Sequence, residues 1–287
     1  MSHVLQSETV NQARPVERLV VGKETSDGAG VRLTRVLTHD LQQRLDPFLM
    51  LDAFGSDDPE DYIAGFPDHP HRGFETVTYM LAGRMRHRDN KGGEGVIEPG
   101  GIQWMTAGRG LVHSEMPEQT EGLMRGFQLW VNLPAKDKMT APGYQEFPAS
   151  RMPVEERDGG VRVKVITGST SRGTAGPVTA AATDARYLDV DLPAGATFDE
   201  ALPPRHAAFV VVHEGVVSIG GHEVSGVGLA QLGDGDAVRF TAVGGPAKAL
   251  LIAGRPLNEP VAWHGPFVMN TTAELMQAIE DYQAGRF

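Results

Sequence analysis

The sequence predicts an all-β chain built from two β-barrels and a short C-terminal helix. Short runs rich in β-branched and aromatic residues recur along it, separated by turns that use many of its 35 glycines and 19 prolines. This pattern is typical of barrels and sandwiches rather than of βαβ units. The same rhythm of apolar strand, glycine turn and apolar strand occurs in both halves. A final amphipathic segment has the spacing of a helix.

The first half predicts one barrel over residues 16–133. The strand candidates there are residues 19–21, 31–37, 74–83, 95–98, 102–106, 113–115 and 126–133. Prolines 134, 142, 148 and 153 mark residues 134–153 as a linker between domains. Residues 1–15 are polar and aperiodic, and we expect a loose tail there.

The second half predicts another barrel over residues 154–265, followed by a tail and helix over residues 266–287. Its strand candidates are residues 161–166, 187–192, 207–212, 216–219 and 249–252. Thr271 and Glu274 have the spacing of a helical capping box. One helical face carries Leu275, Met276, Ile279 and Tyr282, and we expect it to pack on a barrel.

Composition excludes several functional classes. The net charge of −11 argues against a sequence-independent grip on the phosphate backbone of nucleic acids. The chain has no cysteine, so disulfides, zinc ribbons and thiol catalysis are excluded. The first residues lack the features of a secretory signal, and the longest apolar run, residues 207–212, is too short to span a bilayer. We therefore expect a cytoplasmic protein without direct contacts to nucleic acid or membrane.

Two pairs of metal-ligand side chains lie in residues 67–117. His69 and His71 form one pair, and His113 and Glu115 form the other. In a strand, residues i and i+2 point to the same side, so each pair can aim both members at one point. Neighbouring strands would then place three imidazoles and one carboxylate around one divalent ion. Such a set suits Fe, Mn, Co, Ni, Cu or Zn.

A non-metal interpretation of these pairs stays open. His69 and His71 flank a proline and fit a turn with solvated imidazoles, and His113 with Glu115 fits an ordinary strand edge. The occurrence of two such pairs favours the metal site. His206, His213, His222 and His264 in the second half form no such pair, so the simplest interpretation is a second barrel without metal, whose histidines are structural or exposed.

Several segments resemble the pirin family of the cupin superfamily, from about Val16 to near the end of the chain. The segments that carry the resemblance are residues 69–79, 103–110, 113–117, 254–261 and 265–270. The resemblance implies a bicupin, two cupin-type (jelly-roll) barrels with one metal in the first.

The resemblance also implies the ligands His69, His71, His113 and Glu115. The general cupin pattern has a histidine soon after PxG, whereas here Trp104 follows Pro99-Gly100-Gly101. Pirins share this shift. Glu75 stands where cupins usually carry a ligand glutamate, and as in pirins we expect it to support the structure or the ligands. The expected metal is Fe(II), with Zn, Mn, Co, Ni and Cu as alternatives.

Some bacterial pirins resemble flavonol 2,3-dioxygenases that open quercetin-type rings with dioxygen and release carbon monoxide. The resemblance thus implies a small aromatic substrate. Glu115 would act as both ligand and catalytic base, taking the proton of a substrate hydroxyl. Candidate apolar walls are Phe54, Trp104, Met105 and Phe127, and core packing is the alternative for each.

Other pirins resemble iron-binding regulatory proteins that act on transcription factors or metabolic enzymes without turnover. The acidic net charge favours a protein partner over DNA. A dioxygenase for another enolisable substrate is a third hypothesis. We expect a monomer under each.

Overall fold

The computed structural model describes residues 12–287 and confirms the all-β fold with a C-terminal helix. The strands of the first half are β1 (Val16–Val20), β2 (Lys23–Asp27), β3 (Val31–Leu37), β4 (Phe48–Ser56), β5 (Phe66–His71), β6 (Phe74–Ala82), β7 (Met85–Asp89), β8 (Glu94–Ile97), β9 (Ile102–Thr106), β10 (Leu111–Pro117), β11 (Met124–Asn132) and β12 (Gly143–Phe147).

The second half continues with β13 (Val154–Glu156), β14 (Arg162–Thr167), β15 (Arg186–Leu192), β16 (Thr197–Ala201), β17 (Ala207–Glu214), β18 (Val216–Ile219), β19 (His222–Ser225), β20 (Leu229–Leu232), β21 (Ala237–Ala242), β22 (Ala247–Gly254), β23 (Ala262–His264) and β24 (Phe267–Met269). Helix α1 spans Thr272–Gln283. Short 3-10 helices lie at His39–Leu41, Pro59–Asp61, Ala135–Asp137, Ala149–Arg151 and Asp158–Gly160.

Each barrel combines a seven-stranded and a four-stranded antiparallel sheet. The first has the orders β12-β9-β6-β11-β4-β3-β2 and β5-β10-β7-β8. The second has the orders β1-β20-β17-β22-β15-β14-β13 and β16-β21-β18-β19. The two barrels therefore share one architecture. A separate hairpin of β23 and β24 precedes α1.

Two edge strands do not follow the predicted domain boundaries. β1 pairs with β20 of the second barrel, although the first domain was predicted to begin at residue 16. β12 lies in the predicted linker and pairs with β9 of the first barrel. Both strands complete the edge of a seven-stranded sheet. Local sequence pattern reports that a segment is a strand but not which edge it covers.

The two seven-stranded sheets pack face to face through the largest apolar cluster. It includes Tyr79, Trp104 and Phe127 from the first barrel, and Tyr187 and Phe209 from the second. The interior of the second barrel holds a separate apolar cluster, beside the buried ion pair of Arg157 and Glu200. The interior of the first barrel has a smaller apolar cluster beside buried polar side chains. The candidate site lies among these buried polar side chains of the first barrel.

The capping box at Thr271 is confirmed, because its hydroxyl accepts from the Glu274 backbone N–H and the Glu274 carboxylate accepts from the Thr271 N–H. Helix α1 packs against the first barrel through a cluster that includes Val112 and the buried Ala278. The predicted face is partly wrong, since Met276 is 52% exposed. No helix within residues 12–287 is long and apolar enough to cross a membrane.

The predicted loose tail falls mostly on residues 1–11, which lie outside the described residues. For residues 12–15 the prediction is wrong. The Arg14 guanidinium is buried and donates to the backbone carbonyls of His206, Pro203 and Gly233. These three acceptors belong to loops of the second barrel, so the chain is anchored before β1 begins. Sequence polarity alone could not reveal acceptors that are almost 200 residues away.

Candidate metal centre

The structure brings His69, His71 and His113 together. One ring nitrogen from each lies within 4.8 Å of those of the other two. The ring centroids are 4.7 Å apart for His69 and His71, 4.5 Å for His69 and His113, and 5.1 Å for His71 and His113. Three imidazoles from two strands thus surround one point.

The pairing of β5 with β10 produces this arrangement. His113 lies directly opposite His69 in the antiparallel register. His71 is two residues from His69 and therefore points to the same side of the sheet. The register then shifts, so that Glu115 lies opposite Phe66. The shift places an extra residue in β5, a bulge of the kind often found beside functional sites.

The ring nitrogens fit a metal ion. Both nitrogens of His71 and both of His113 are buried without a hydrogen-bond partner among the described residues. Buried polar atoms in native structures are normally paired, so such orphans need an explanation. The Nδ1–H of His69 donates to the Pro67 carbonyl at 2.8 Å, which leaves the Nε2 lone pair free. Metal-bound histidines are commonly oriented by such a bond.

Burial keeps two of these imidazoles neutral. It lowers the pKa of His71 well below its ordinary value, and the neighbouring His113 and His69 act in the same direction. Burial also lowers the pKa of His113 to about 4, against the opposing effect of the Glu115 carboxylate. Metals bind the neutral imidazole. The site is therefore ready to coordinate a cation at neutral pH.

Glu115 is buried beside the histidines but is bonded elsewhere. Its Oε1 accepts from the Thr78 hydroxyl at 2.8 Å, and its Oε2 accepts from the Gln128 amide at 2.7 Å. The group of ligand atoms within 4.8 Å of one another comprises the three histidines and not Glu115. Two strands of the seven-stranded sheet, β6 and β11, hold this carboxylate in place.

A cavity of about 680 Å³ opens beside His69 and His71. Of the predicted walls, Phe54 lines it. Trp104 and Phe127 pack between the barrels instead, and Met105 lies in a small cluster with Leu111. Trp104 and Phe127 take the core-packing alternative because their side chains leave the sheet on the face that packs against the second barrel. Met105 follows Trp104 on β9 and points to the other face, where it packs with Leu111.

Sequence reasoning missed most of the cavity wall. The aromatic side chains of Trp130 and Trp263 line it, with Met50 and Pro266. The Trp130 ring centroid is 5.3 Å from that of His71. Strand alternation could have found Trp130, since it lies two residues after Gln128 on β11. Trp263 could not have been found, because it reaches this cavity from beyond the second barrel.

A buried ion pair forms another part of the wall. Arg35 donates to both carboxylate oxygens of Asp52, at 2.8 and 2.7 Å. Burial raises the pKa of Asp52, and the bond from Arg35 opposes that rise. Both residues line the cavity, so a ligand there meets donors and acceptors at fixed positions.

The four histidines of the second half and Glu75 lie apart from this centre. Glu75 is buried and accepts from the Thr106 hydroxyl at 2.7 Å. His206 and His213 are buried and contact Asp184 and Asp189, respectively. The second-half residues His222 and His264 are exposed.

Comparisons with known proteins show the family of this chain. A family model described as pirin matches residues 30–131, and one described as the pirin C-terminal cupin domain matches residues 187–287. A pirin-like protein of Caulobacter vibrioides is 62% identical over 96% of this chain and 99% of its own length. A Pseudomonas aeruginosa protein named "putative quercetin 2,3-dioxygenase" is 50% identical over 95% of this chain and 97% of its own.

A solved structure has the same fold over nearly the whole length. The quercetin 2,3-dioxygenase of Acinetobacter baumannii superposes with a TM-score of 0.90 at 35% identity, covering 96% of this chain and 99% of that one. The sequence matches include both barrels, and the resemblance carried by residues 69–79 and 113–117 is confirmed. The chain belongs to the pirin family of bicupins.

Proposed function

We propose that this protein is a metal-dependent dioxygenase acting on flavonols of the quercetin type by 2,3-cleavage of the ring. The observation that carries the proposal is the set of ring nitrogens of His71 and His113 that lack a hydrogen-bond partner among the described residues. They lie in a histidine cluster of which His69 and His71 line an aromatic-walled cavity. The names of the Pseudomonas aeruginosa relative and the Acinetobacter baumannii structure support the same reaction.

In this proposal His69, His71, His113 and Glu115 hold one divalent metal, with Fe(II) expected. The bound metal would supply Lewis acidity and a template for substrate and dioxygen. Glu115 would also accept the proton of the substrate hydroxyl. The Thr78 hydroxyl and the Gln128 amide fix the starting position of its two oxygens. Movement of Glu115 toward the histidines requires exchange of those two bonds.

The cavity walls would orient a planar aromatic substrate. Trp130 lies against Phe74, with ring centroids 4.4 Å apart, and is 5.9 Å from Trp263, so these rings form a rigid apolar surface. Aromatic faces favour stacked or edge-on contacts with another ring. The Arg35–Asp52 pair lies in the same cavity and can hydrogen-bond phenolic hydroxyls. Apolar walls also exclude water from the reacting ring.

The test is anaerobic reconstitution with Fe(II), followed by oxygen uptake and carbon monoxide release with quercetin. His69→Ala should lose both signals, because it removes the histidine that Pro67 orients. His222→Ala is the matched control, since His222 is exposed in the second barrel. Stoichiometric iron binding without oxygen uptake would overturn the enzyme proposal and favour an iron-binding regulatory protein. Uptake with other enolisable substrates but not quercetin would revise only the substrate class.

A further inference from the structure

A second cavity, of about 340 Å³, lies between the two barrels. Tyr79 and Arg125 line it from the first barrel, and Lys164, Asp189 and His213 line it from the second. This volume falls at the lower end of the range for small-molecule sites, roughly 300–1,000 Å³. We name this cavity the inter-barrel cleft. It shares no lining residue with the cavity beside His69.

A hydrogen-bonded network forms the floor of the inter-barrel cleft. The Tyr79 hydroxyl donates to Asp189 at 2.6 Å, and Lys164 donates to that hydroxyl at 3.0 Å. His213 Nε2 donates to the other Asp189 oxygen at 3.3 Å. Burial, with the charge of Asp189, raises the pKa of Tyr79 well above its ordinary value. The phenol therefore stays protonated and holds Lys164 and Asp189 in fixed positions.

The Lys164 ammonium has N–H donors that make no hydrogen bond to the described residues. Among the described residues no carboxylate forms an ion pair with it, and its ammonium makes one hydrogen bond, to Tyr79. An ammonium has three N–H donors, so two remain for a ligand. Arg125 and Lys248, by contrast, both pair with Glu214. Lys164 lies opposite Asp189 on β15 and is linked to it through the Tyr79 hydroxyl, without a direct ion pair.

The charge balance of the lining sets the ligand charge. The cleft is lined by Arg125, Arg162, Lys164 and Lys248 and by the carboxylates Asp189, Asp191 and Glu214. Arg162 pairs with Glu156 at 3.0 Å, so the lining cation without a direct ion pair among the described residues is Lys164. One negative charge on a ligand matches that ammonium, whereas a dianion meets repulsion from three carboxylates.

The rest of the lining is apolar. Leu81, Ala82, Leu123 and Val154 contribute hydrocarbon surface to the same cleft. Leu123 and Val154 are 47% and 40% exposed, so burying them under a ligand would remove apolar surface from water. A ligand that fits must combine one anionic group with a small apolar body.

We infer that the inter-barrel cleft is a second ligand site, which takes a small amphipathic monocarboxylate whose carboxylate binds Lys164. The apolar body of the ligand packs on Leu81, Leu123 and Val154. This site is independent of the metal centre and of the proposed dioxygenase reaction. Both barrels contribute to it, so its occupant also stabilises their contact.

Calorimetric titration of the full-length protein with benzoate tests this inference. Benzamide serves as the neutral analogue, and inorganic phosphate, at an alkaline pH where it is dianionic, serves as the competitor. Benzoate should bind and benzamide should not. Lys164→Met should weaken benzoate binding about tenfold or more, as expected for loss of a charge-assisted hydrogen bond. Ala82→Phe, which fills the cleft without removing a charge, should abolish binding.

Two controls locate the binding. Lys91→Met removes an exposed lysine from the turn between β7 and β8 and should leave benzoate affinity unchanged. His69→Ala should also leave it unchanged, because the metal cavity is not the site. Circular dichroism checks that each variant is folded. If Lys164→Met is not folded, the benzoate affinity of Ala82→Phe decides the test. No benzoate binding, equal binding by Lys164→Met, loss in His69→Ala, or displacement by phosphate would each overturn the inference.

Discussion

The two barrels have the same sheet order but opposite interiors. In the four-stranded sheet of the first barrel, β5 and β10 place His69 opposite His113. In the equivalent sheet of the second barrel, β16 and β21 place Phe198 opposite Phe240, with ring centroids 5.0 Å apart. The facing strands of the corresponding sheets thus carry a ligand pair in one barrel and a core pair in the other.

This difference shows that the second barrel contributes mainly to stability, whereas the first holds the candidate metal ligands. The second barrel fills its interior with apolar side chains, among them Phe198, Phe240 and Val238, whose burial stabilises the fold. The first barrel buries His71, His113 and Glu115 at the same depth, and burial of polar groups costs free energy unless they are bonded. A metal ion would supply the missing partners. Four substitutions test whether the two barrels differ in this way.

The largest expected effect is the loss of metal by His113→Ala. Removing one of three clustered imidazoles should lower the affinity for Fe(II) or Zn(II) at least ~100-fold. Metal analysis after gel filtration measures the occupancy. In the wild type, a chelator should lower the melting temperature by ~5 °C or more, because the metal binds the native state. The chelator should have no such effect on His113→Ala, and a persisting shift would contradict the assignment.

Phe240→Ala should destabilise the second barrel. Phe240 is 1% exposed and packs against Phe198, so truncation should cost about 3–5 kcal/mol of unfolding free energy. Urea unfolding followed by tryptophan fluorescence measures this loss. Metal content per folded molecule should stay at the wild-type level. If Phe240→Ala instead emptied the metal site and left stability unchanged, the division between the barrels would be wrong.

His113→Phe should reduce the acid sensitivity of the metal-free protein. The pKa of His113 is about 4 in the folded chain, below the ordinary value of about 6.5 in the unfolded chain. The unfolded state therefore binds more protons between these values, and stability falls as pH decreases from about 6.5 to about 4. Urea midpoints across this range should fall less steeply in His113→Phe than in the chelated wild type. Parallel slopes would count against a neutral buried His113.

The smallest effect is expected at the helix that packs on the first barrel. Thr271→Ala removes the side-chain acceptor of the capping box and should cost about 1 kcal/mol. Thr271→Ser retains that acceptor and is the matched control. Metal affinity should not change, because the Thr271 side chain is exposed and its hydrogen bonds are to Glu274 of the same helix. A change in metal affinity equal in both variants would show that the helix affects the centre by another route.

The sequence could predict those features that depend on local spacing. The i, i+2 spacing of His69 and His71 identified the histidine cluster, and the glycine-punctuated strands identified two barrels. The capping box at Thr271 is equally local. In the structure the two histidine-bearing strands pair so that His113 lies opposite His69.

Features that depend on distant pairing could not be predicted. β1 and β12 cover edges that no local pattern specifies. Trp263 reaches the metal cavity from beyond the second barrel. The inter-barrel cleft joins Tyr79, Lys164 and Asp189, which lie on three strands and are separated by up to 110 residues. Such contacts arise from the packing of whole sheets, which local patterns in a single sequence do not specify.

The most direct test of the central claim compares oxygen uptake by Fe(II)-loaded wild type and His113→Phe, with quercetin as substrate. This variant gives β10 of the first barrel a phenylalanine, the residue type that β21 of the second barrel packs against β16. Iron content and circular dichroism are measured on the same samples. We expect the wild type to consume oxygen and release carbon monoxide, and the folded variant to do neither. Equal uptake by both proteins, or none by fully loaded wild type, would contradict the account.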